Sequence, residues 1–291
     1  MERTVGPSGC GASLAGSKIT DLDFADDAVI FAEALEILQE TLESLTREAE
    51  PLGLRVSWIK TKIQAFNDIL DSAILSIPVS GENVEVTDRF TYLGSDVHVS
   101  GSCEPEVNRR LGRASALMKS LDCGVWRCRH LCKRTKVRVF RVLVLPVLLY
   151  GSETWTLTAA LRSRLNSFCT ISLRRILGYR WSDFVSNDRL LRETGFRYAT
   201  CIVRERQLRL LGHVARFTDS DPAHKALFEA SVGGTRPVGR PRTSWLQQVA
   251  GHLNEMGMGL ATARGMARRR PQEYRQKVNA ATRCQGACSH T

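Results

Sequence analysis

Long apolar runs are missing from this sequence. The longest, Val142 to Tyr150, is broken by Pro146 and falls far short of the ~20 residues that span a bilayer, so no membrane segment is expected. Met1 to Gly16 is rich in Gly and Ser and holds one arginine. It lacks both the apolar stretch of a secretory signal and the repeated arginines of a transit peptide, and an intracellular protein of nucleus or cytoplasm is expected. A disulfide framework is absent too. The nine cysteines, at positions 10, 103, 123, 128, 132, 169, 201, 284 and 288, are odd in number and scattered over 291 residues, unlike the dense, even sets of small secreted domains. Reduced thiols are expected. No internal repeat is visible.

Acidic residues are scarce in one part only. Residues 99 to 291 hold 13 Asp or Glu against 34 Lys or Arg, a balance of +21, whereas residues 1 to 98 hold 17 acids and 7 bases, a balance of −10. The whole chain carries +11 with 43% hydrophobic and 24% charged residues, an ordinary globular composition that excludes disorder throughout. Charge segregated this sharply points to a polyanionic partner for the basic part.

Along the acidic part, Ile19 to Phe31 places two β-prone runs around Ala25-Asp26-Asp27, the pattern of a hairpin with two carboxylates at its tip. From Glu33 the period becomes helical, with Leu35, Leu38, Leu42, Leu45 and Ala49 on one face, and Pro51 and Gly53 closing the helix. Leu54, Val56 and Trp58 alternate with Arg55 and Ser57, which predicts a strand leading into Lys60-Thr61-Lys62. Short strands are expected at 73–79, 82–87 and 90–93.

Helices take over near residue 99. Glu104, Pro105 and Glu106 suit a first turn, followed by a stripe of Val107, Leu111, Ala114, Met118 and Leu121. A second helix, 133–150, buries Val137, Phe140, Val144 and Leu148 while Arg134, Arg138 and Arg141 recur on another face. Thr158 reads as the N-cap of a third helix that stops at Gly178. Further helices are expected at 187–193, 199–216 and 245–256.

Two adjacent carboxylates on a tight turn repel and raise each other's pKa unless a cation neutralises them. Oxygen ligands of this kind suit Mg²⁺, usually held by one or two carboxylates plus substrate phosphates. A solvated turn is the bland alternative. Phe24-Ala25-Asp26-Asp27 resembles the Tyr/Phe-x-Asp-Asp hairpin of reverse transcriptases, and later segments follow in matching order. Gly53-Leu54-Arg55-Val56-Ser57-Trp58-Ile59-Lys60-Thr61 is similar to the Gly-Leu...Lys-Thr block of non-LTR retrotransposon enzymes, and Phe90-Thr91-Tyr92-Leu93-Gly94 to their primer grip. Asn108-Arg109-Arg110, the run from Leu145 to Gly151, Leu173 to Gly178 and Leu211 to Arg216 resemble the C-terminal half of LINE polyproteins of the RTE-like kind.

The resemblance implies an α+β fold: a partial palm of β-hairpin, amphipathic helix and short strands over 1–98, a helical thumb-like region over 99–180 and a basic helical C-terminal region over 181–291. It implies an RNA-directed DNA polymerase in which Asp26 and Asp27 bind Mg²⁺, Lys60 approaches the triphosphate as general acid for pyrophosphate, and Tyr92 and Gly94 position the primer end. Fingers and a first metal-binding Asp would precede the hairpin in a complete enzyme, and the 25 residues before Asp26 leave no room for them. The expectation is therefore a catalytically incomplete chain. A non-catalytic RNA- or DNA-binding protein derived from such an element is the alternative, and a relic without a selected role is a third.

The partners implied are an RNA template and DNA primer, or other nucleic acid. Arg109, Arg110 and Arg113 on one helix and Arg134, Arg138 and Arg141 on the next are the expected phosphate contacts. Arg240 and Arg242, in Gly239-Arg240-Pro241-Arg242, match the centre of a minor-groove AT-hook or simply a basic loop. Trp126, Trp155 and Trp181 are candidates for base stacking or for the core. Cys123, Cys128, His130 and Cys132, and then Cys284, Cys288 and His290, are zinc candidates with irregular spacing or too few ligands for a closed four-ligand site.

Overall fold

A computed structural model describes residues 9–14, 16–66, 74–229 and 243–283. It is a mixed α+β structure in which small sheets come first and helices follow. Two compact units emerge: one takes in the described residues of 1–91, 97–101 and 217–236, the other those of 92–96, 102–216 and 237–291.

In the first unit, β1 (Ala12–Leu14) pairs with β2 (Ser17–Ile19), and β3 (Asp21–Phe24) pairs antiparallel with β4 (Asp27–Ile30). Helix α1 (Leu35–Ala49) follows, then a 3₁₀ turn at Glu50–Leu52 that ends at Gly53 with φ of +73°, as Pro51 and Gly53 foretell. Strand β5 (Lys62–Ile63) lies parallel to β7 (Glu82–Val86), which pairs antiparallel with β6 (Ser76–Val79). Alternation in β6 buries Ile77 and Val79; with Leu42, Ile63 and Val84 they form the core against which Leu35, Leu38 and Trp58 pack.

The strand expected over Leu54 to Trp58 does not form. The amides of Lys60 and Thr61 both donate to the Ser57 carbonyl at 2.9 Å, closing a turn, and Leu54 and Ile59 stand exposed. Residue alternation predicts a pleated strand only where a neighbour supplies the ladder, and the Ser57 turn takes the backbone away from one. Strands β8 (Arg89–Tyr92) and β9 (Ser95–His98) form a further two-stranded sheet; β9 had no clear sequence signal.

The helical unit starts with α2 (Glu104–Ser120), closed by a π-turn at Asp122–Trp126. Next come α3 (Lys133–Val139), a π-helical stretch (Phe140–Val144) and α4 (Leu145–Leu148), which together form the helix expected over 133–150. The wide turn immediately precedes Pro146, which lacks an N–H and crowds the carbonyl four residues back. Helix α5 (Ala159–Leu177) begins where Thr158 accepts from the Leu161 amide and ends at Gly178, φ +78°. Then follow α6 (Asn187–Thr194), α7 (Ala199–Val214), α9 (Trp245–Asn254), α10 (Leu260–Arg269) and α11 (Pro271–Arg283), while α8 (Pro222–Phe228) belongs to the first unit.

One core runs through Val107, Met118, Phe140, Leu148, Trp155, Leu165, Leu173, Leu190 and Phe196 without a break at residue 180. Among the described residues it holds twenty-two buried side chains against five in the core cluster of the sheet-bearing unit, so at about 1.5–3 kcal/mol per large apolar side chain most of the burial energy lies in the helices. Helix α11 approaches α7 closely at Gly212, where a Cβ would stand 2.5 Å from the Tyr274 ring. The Tyr274 hydroxyl donates to the Leu208 carbonyl at 2.7 Å. No described helix is long and apolar enough to cross a membrane.

Candidate nucleic-acid interface

The hairpin at β3–β4 turns through Ala25 and Asp26, with Phe24 opposite Asp27. Ala25 takes φ of +55°, a left-handed conformation usually left to Gly or Asn. Asp26 stays in the turn and Asp27 opens β4, and both are exposed. On the incoming strand, partial burial and then the Asp21 carboxylate hold the Asp23 carboxyl above its usual range. Among the described residues no three or more His, Cys, Asp or Glu side chains converge as a metal group; Asp26 and Asp27 are the two acids at the hairpin's tip, with Asp21 and Asp23 on its incoming strand. Lys60 is exposed on the turn that starts at Ser57.

The primer-grip-like segment is anchored by α2 and by the turn after α4. Leu93 and Gly94 have φ of +46° and +78°, the left-handed pair typical of a two-residue hairpin turn; for Leu this costs about 1–2 kcal/mol. Three side chains hold the turn. Tyr150 donates its hydroxyl to the Leu93 carbonyl at 2.9 Å; Arg109 Nη2 donates to the Gly94 carbonyl at 2.6 Å, joined there by Arg110 Nη2. The Arg110 guanidinium also lies 4.4 Å from the Tyr150 ring centre. Behind them, the buried Glu106 carboxylate accepts from Arg109 Nε at 2.8 Å, Arg110 Nε at 2.7 Å and the Asp96 amide at 3.2 Å, and Asp96 Oδ2 sits 3.5 Å from Arg109 Nε. Tyr92 is half-buried at the end of β8.

This network corrects the expectation for two arginines. Arg109 and Arg110 do not present a solvent-facing phosphate grip. Arg110 is 5% exposed and both face Glu106 and the turn, Arg109 also Asp96, because Glu106 lies three and four residues before them on the same helix. Arg113, one turn further, is exposed and makes no ion pair among the described residues.

The three arginines of the following helix also divide. Arg134 and Arg138, four residues apart in α3, are exposed and carry no carboxylate partner among the described residues. Arg141 instead donates through Nη2 to the carbonyls of Thr194, at 2.8 Å, and Gly195, capping the C-terminus of α6, and its guanidinium lies 5.8 Å from the Phe196 ring centre. A cation there complements the helix dipole. Arg141 falls in the π-helical stretch, whose extra residue per turn breaks the face that Arg134 and Arg138 share. Arg240 and Arg242 lie outside the described residues, as do Cys284, Cys288 and His290.

Trp126 and Trp155 belong to the core, at 5% and 2% exposure, and the Trp126 indole donates to the Met118 carbonyl at 2.8 Å. Trp181 is exposed. The Cys123 to Cys132 group is not drawn into a metal cluster. Cys123 is exposed in the π-turn, and Cys132, just before α3, pairs its sulfur with Thr135 Oγ1 at 3.2 Å, which holds its thiol below the usual range.

Helical spacing of arginines missed a plainer signal. Between Asp122 and Glu153 the chain has seven Lys or Arg and not one acidic residue, so no neighbour in sequence neutralises α3. Its exposed Lys133 belongs with Arg134 and Arg138. By helical position alone, Arg109 and Arg138 look alike in sequence.

No family model matches this sequence. The chain is 29% identical over 212 residues, 70% of its length, to an uncharacterized protein of Caenorhabditis elegans described as transposon-derived, and the match covers 74% of that protein.

Proposed function

We propose that this is a transposon-derived, nucleic-acid-binding protein, built from the C-terminal half of a LINE-type reverse transcriptase, whose helical unit holds RNA or DNA through backbone phosphates. The observation that carries the reading is α3: Arg134 and Arg138 are exposed one turn apart, without a carboxylate partner among the described residues, inside a stretch of seven bases and no acids. The transposon-derived relative supports the origin, and the order of the sequence blocks around Asp26-Asp27 supports the enzyme family. Arg113 joins the phosphate-binding set; Arg109 and Arg110 serve it indirectly by fixing the Leu93-Gly94 turn.

Mg²⁺ enters this reading only at the hairpin, where Asp26 and Asp27 would supply carboxylate oxygens and nucleic-acid phosphates the remaining ligands. The chain's main activity in this reading is binding, with polymerase chemistry dependent on carboxylates beyond those two.

The test is a fluorescence anisotropy titration of the full chain with RNA and DNA at several salt concentrations. Each neutralised phosphate should contribute about −0.7 to −0.9 to the slope of log affinity against log salt, and replacing Arg134 and Arg138 together by Ala should flatten that slope while weakening all sequences alike. A folded variant with unchanged slope and affinity overturns the assignment of α3.

A further inference from the structure

Between α5 and α6 the chain displays two large aromatic rings in water. Trp181 is 88% and Phe184 85% exposed, with ring centres 6.3 Å apart and planes at 74°. The hydrophobic effect does not hold them there, since neither ring is packed. Polar contacts do. Trp181–Asp183 is a single 3₁₀ turn in which Asp183 Oδ2 accepts from the Arg180 amide at 2.7 Å. Arg174 ties the loop's far side by donating to the Val185 carbonyl at 2.9 Å and to Asn187 Oδ1 at 2.8 Å. Phe184 is held at φ of +49°, a strained conformation for a bulky side chain that persists only when its surroundings enforce it. The loop is thus ordered around its aromatic pair without burying it.

The charge around the pair has one sign in excess. From 174 to 192 there are five arginines and two acids, and Asp183 is occupied by the backbone. Arg180, Arg189 and Arg192 are exposed and make no ion pair among the described residues. Exposed rings beside unpaired guanidinium groups match a ligand with flat aromatic faces and a negatively charged backbone.

We propose that Trp181 and Phe184 form a stacking platform for unpaired bases of single-stranded nucleic acid, with Arg180 and Arg189 meeting the adjoining phosphates. Every base has a π-face, so the platform discriminates strandedness and not sequence. In a duplex those faces are covered by neighbouring base pairs. The pre-set loop reduces the ordering cost of binding. This proposal rests on the nucleic-acid-binding reading above and adds a site and a preference to it.

The experiment compares the full chain with the Trp181→Ala/Phe184→Ala double variant. The probes are labelled oligo(dT), oligo(U) and a mixed-sequence DNA duplex of equal length. Both rings are exposed, so circular dichroism and the urea midpoint should be unchanged. The double variant should bind both single strands about tenfold or more weakly, as expected for lost base stacking, and the duplex nearly as before. Trp181→Tyr, which keeps a stacking face, should stay near the parent chain. Equal loss on duplex and single strands, or no loss on single strands, overturns the platform while leaving phosphate binding by α3 in place. So does ring-dependent self-association with oligonucleotide binding unchanged. A parent chain that binds none of the probes overturns both readings. The oligo(dT) and oligo(U) arms report whether the sugar matters; stacking alone predicts loss on each.

Discussion

The Tyr150 hydroxyl reaches 57 residues back along the sequence to donate to the Leu93 carbonyl at 2.9 Å, fixing the strained residue of a turn whose other carbonyl, on Gly94, is held by Arg109 and Arg110. Two of the donors come from α2 and the third from the turn that follows α4, and all act on main-chain oxygen. The shape of the primer-grip-like turn therefore depends on helix packing more than on its own strand residues.

Breaking this arrangement should cost stability in graded steps. Tyr150→Phe removes one exposed hydrogen bond and should cost about 0.5–1.5 kcal/mol. Glu106→Ala strands two guanidinium groups in a buried setting and should cost about 3–5 kcal/mol. Urea unfolding checks both, and equal effects would mean that the Glu106 network is not the anchor.

Two glycines should respond to alanine with opposite signs. At Gly212 the new Cβ would meet the Tyr274 ring at 2.5 Å, and Gly212→Ala should destabilise by about 1–3 kcal/mol through overpacking. Gly112 lies exposed inside α2 with nothing within 4 Å of the added atom. Gly112→Ala should stabilise by about 0.5–1 kcal/mol. Thermal or urea midpoints of the pair settle the matter.

His252 should make stability fall on acidification. Burial, then the Arg204 and Arg162 guanidinium groups, lower its pKa from 6.5 to about 4. The folded chain therefore keeps this imidazole neutral where the unfolded chain takes up a proton. Its contribution is complete above about pH 6.5 and is lost progressively as pH falls through 4, with a size on the order of 2 kcal/mol. His252→Gln should flatten the stability profile over that window relative to the parent chain, in which carboxylates titrate equally. Parallel profiles for the two proteins would show that His252 is not the group.

The acidic hairpin should not support primer extension by itself. Asp26 occupies the turn while Asp27 sits in the ladder opposite Phe24, and no third metal-binding side chain groups with them among the described residues. Two-metal phosphoryl transfer needs carboxylates that converge on both ions. With Mg²⁺, deoxynucleotides and an annealed primer on RNA, no extension is expected; robust extension that disappears in Asp26→Ala would reverse this conclusion.

Local patterns made much of the fold legible. Leucine spacing and Pro51-Gly53 bounded α1, Thr158 and Gly178 bounded α5, and the Ala25-Asp26 turn sits where the two β-prone runs met. Leu54 to Trp58 misled because alternation describes a chain's faces and says nothing of whether a neighbouring strand exists. The arginines misled for a similar reason. Periodicity placed Arg110 and Arg138 on helices, but only the packing shows that Glu106 turns one inward while no carboxylate among the described residues pairs with the other.

Arg141 and Arg138, three positions apart, should therefore separate stability from binding. Arg141 caps α6 through the Thr194 and Gly195 carbonyls and lies against Phe196, so Arg141→Ala leaves main-chain acceptors unmet and removes a favourable cation at a helix end. That should cost about 1–2 kcal/mol of folding stability, with the salt slope of nucleic-acid binding unchanged. Arg138 is exposed within the acid-free stretch, and Arg138→Ala should leave the urea midpoint nearly unaltered while lowering the magnitude of that slope by about 0.7–0.9. Measuring both quantities on both variants makes the contrast decisive. If Arg141→Ala flattens the slope as much as Arg138→Ala does, without loss of stability, the cap is open in solution and all three arginines of this helix form one phosphate-binding row.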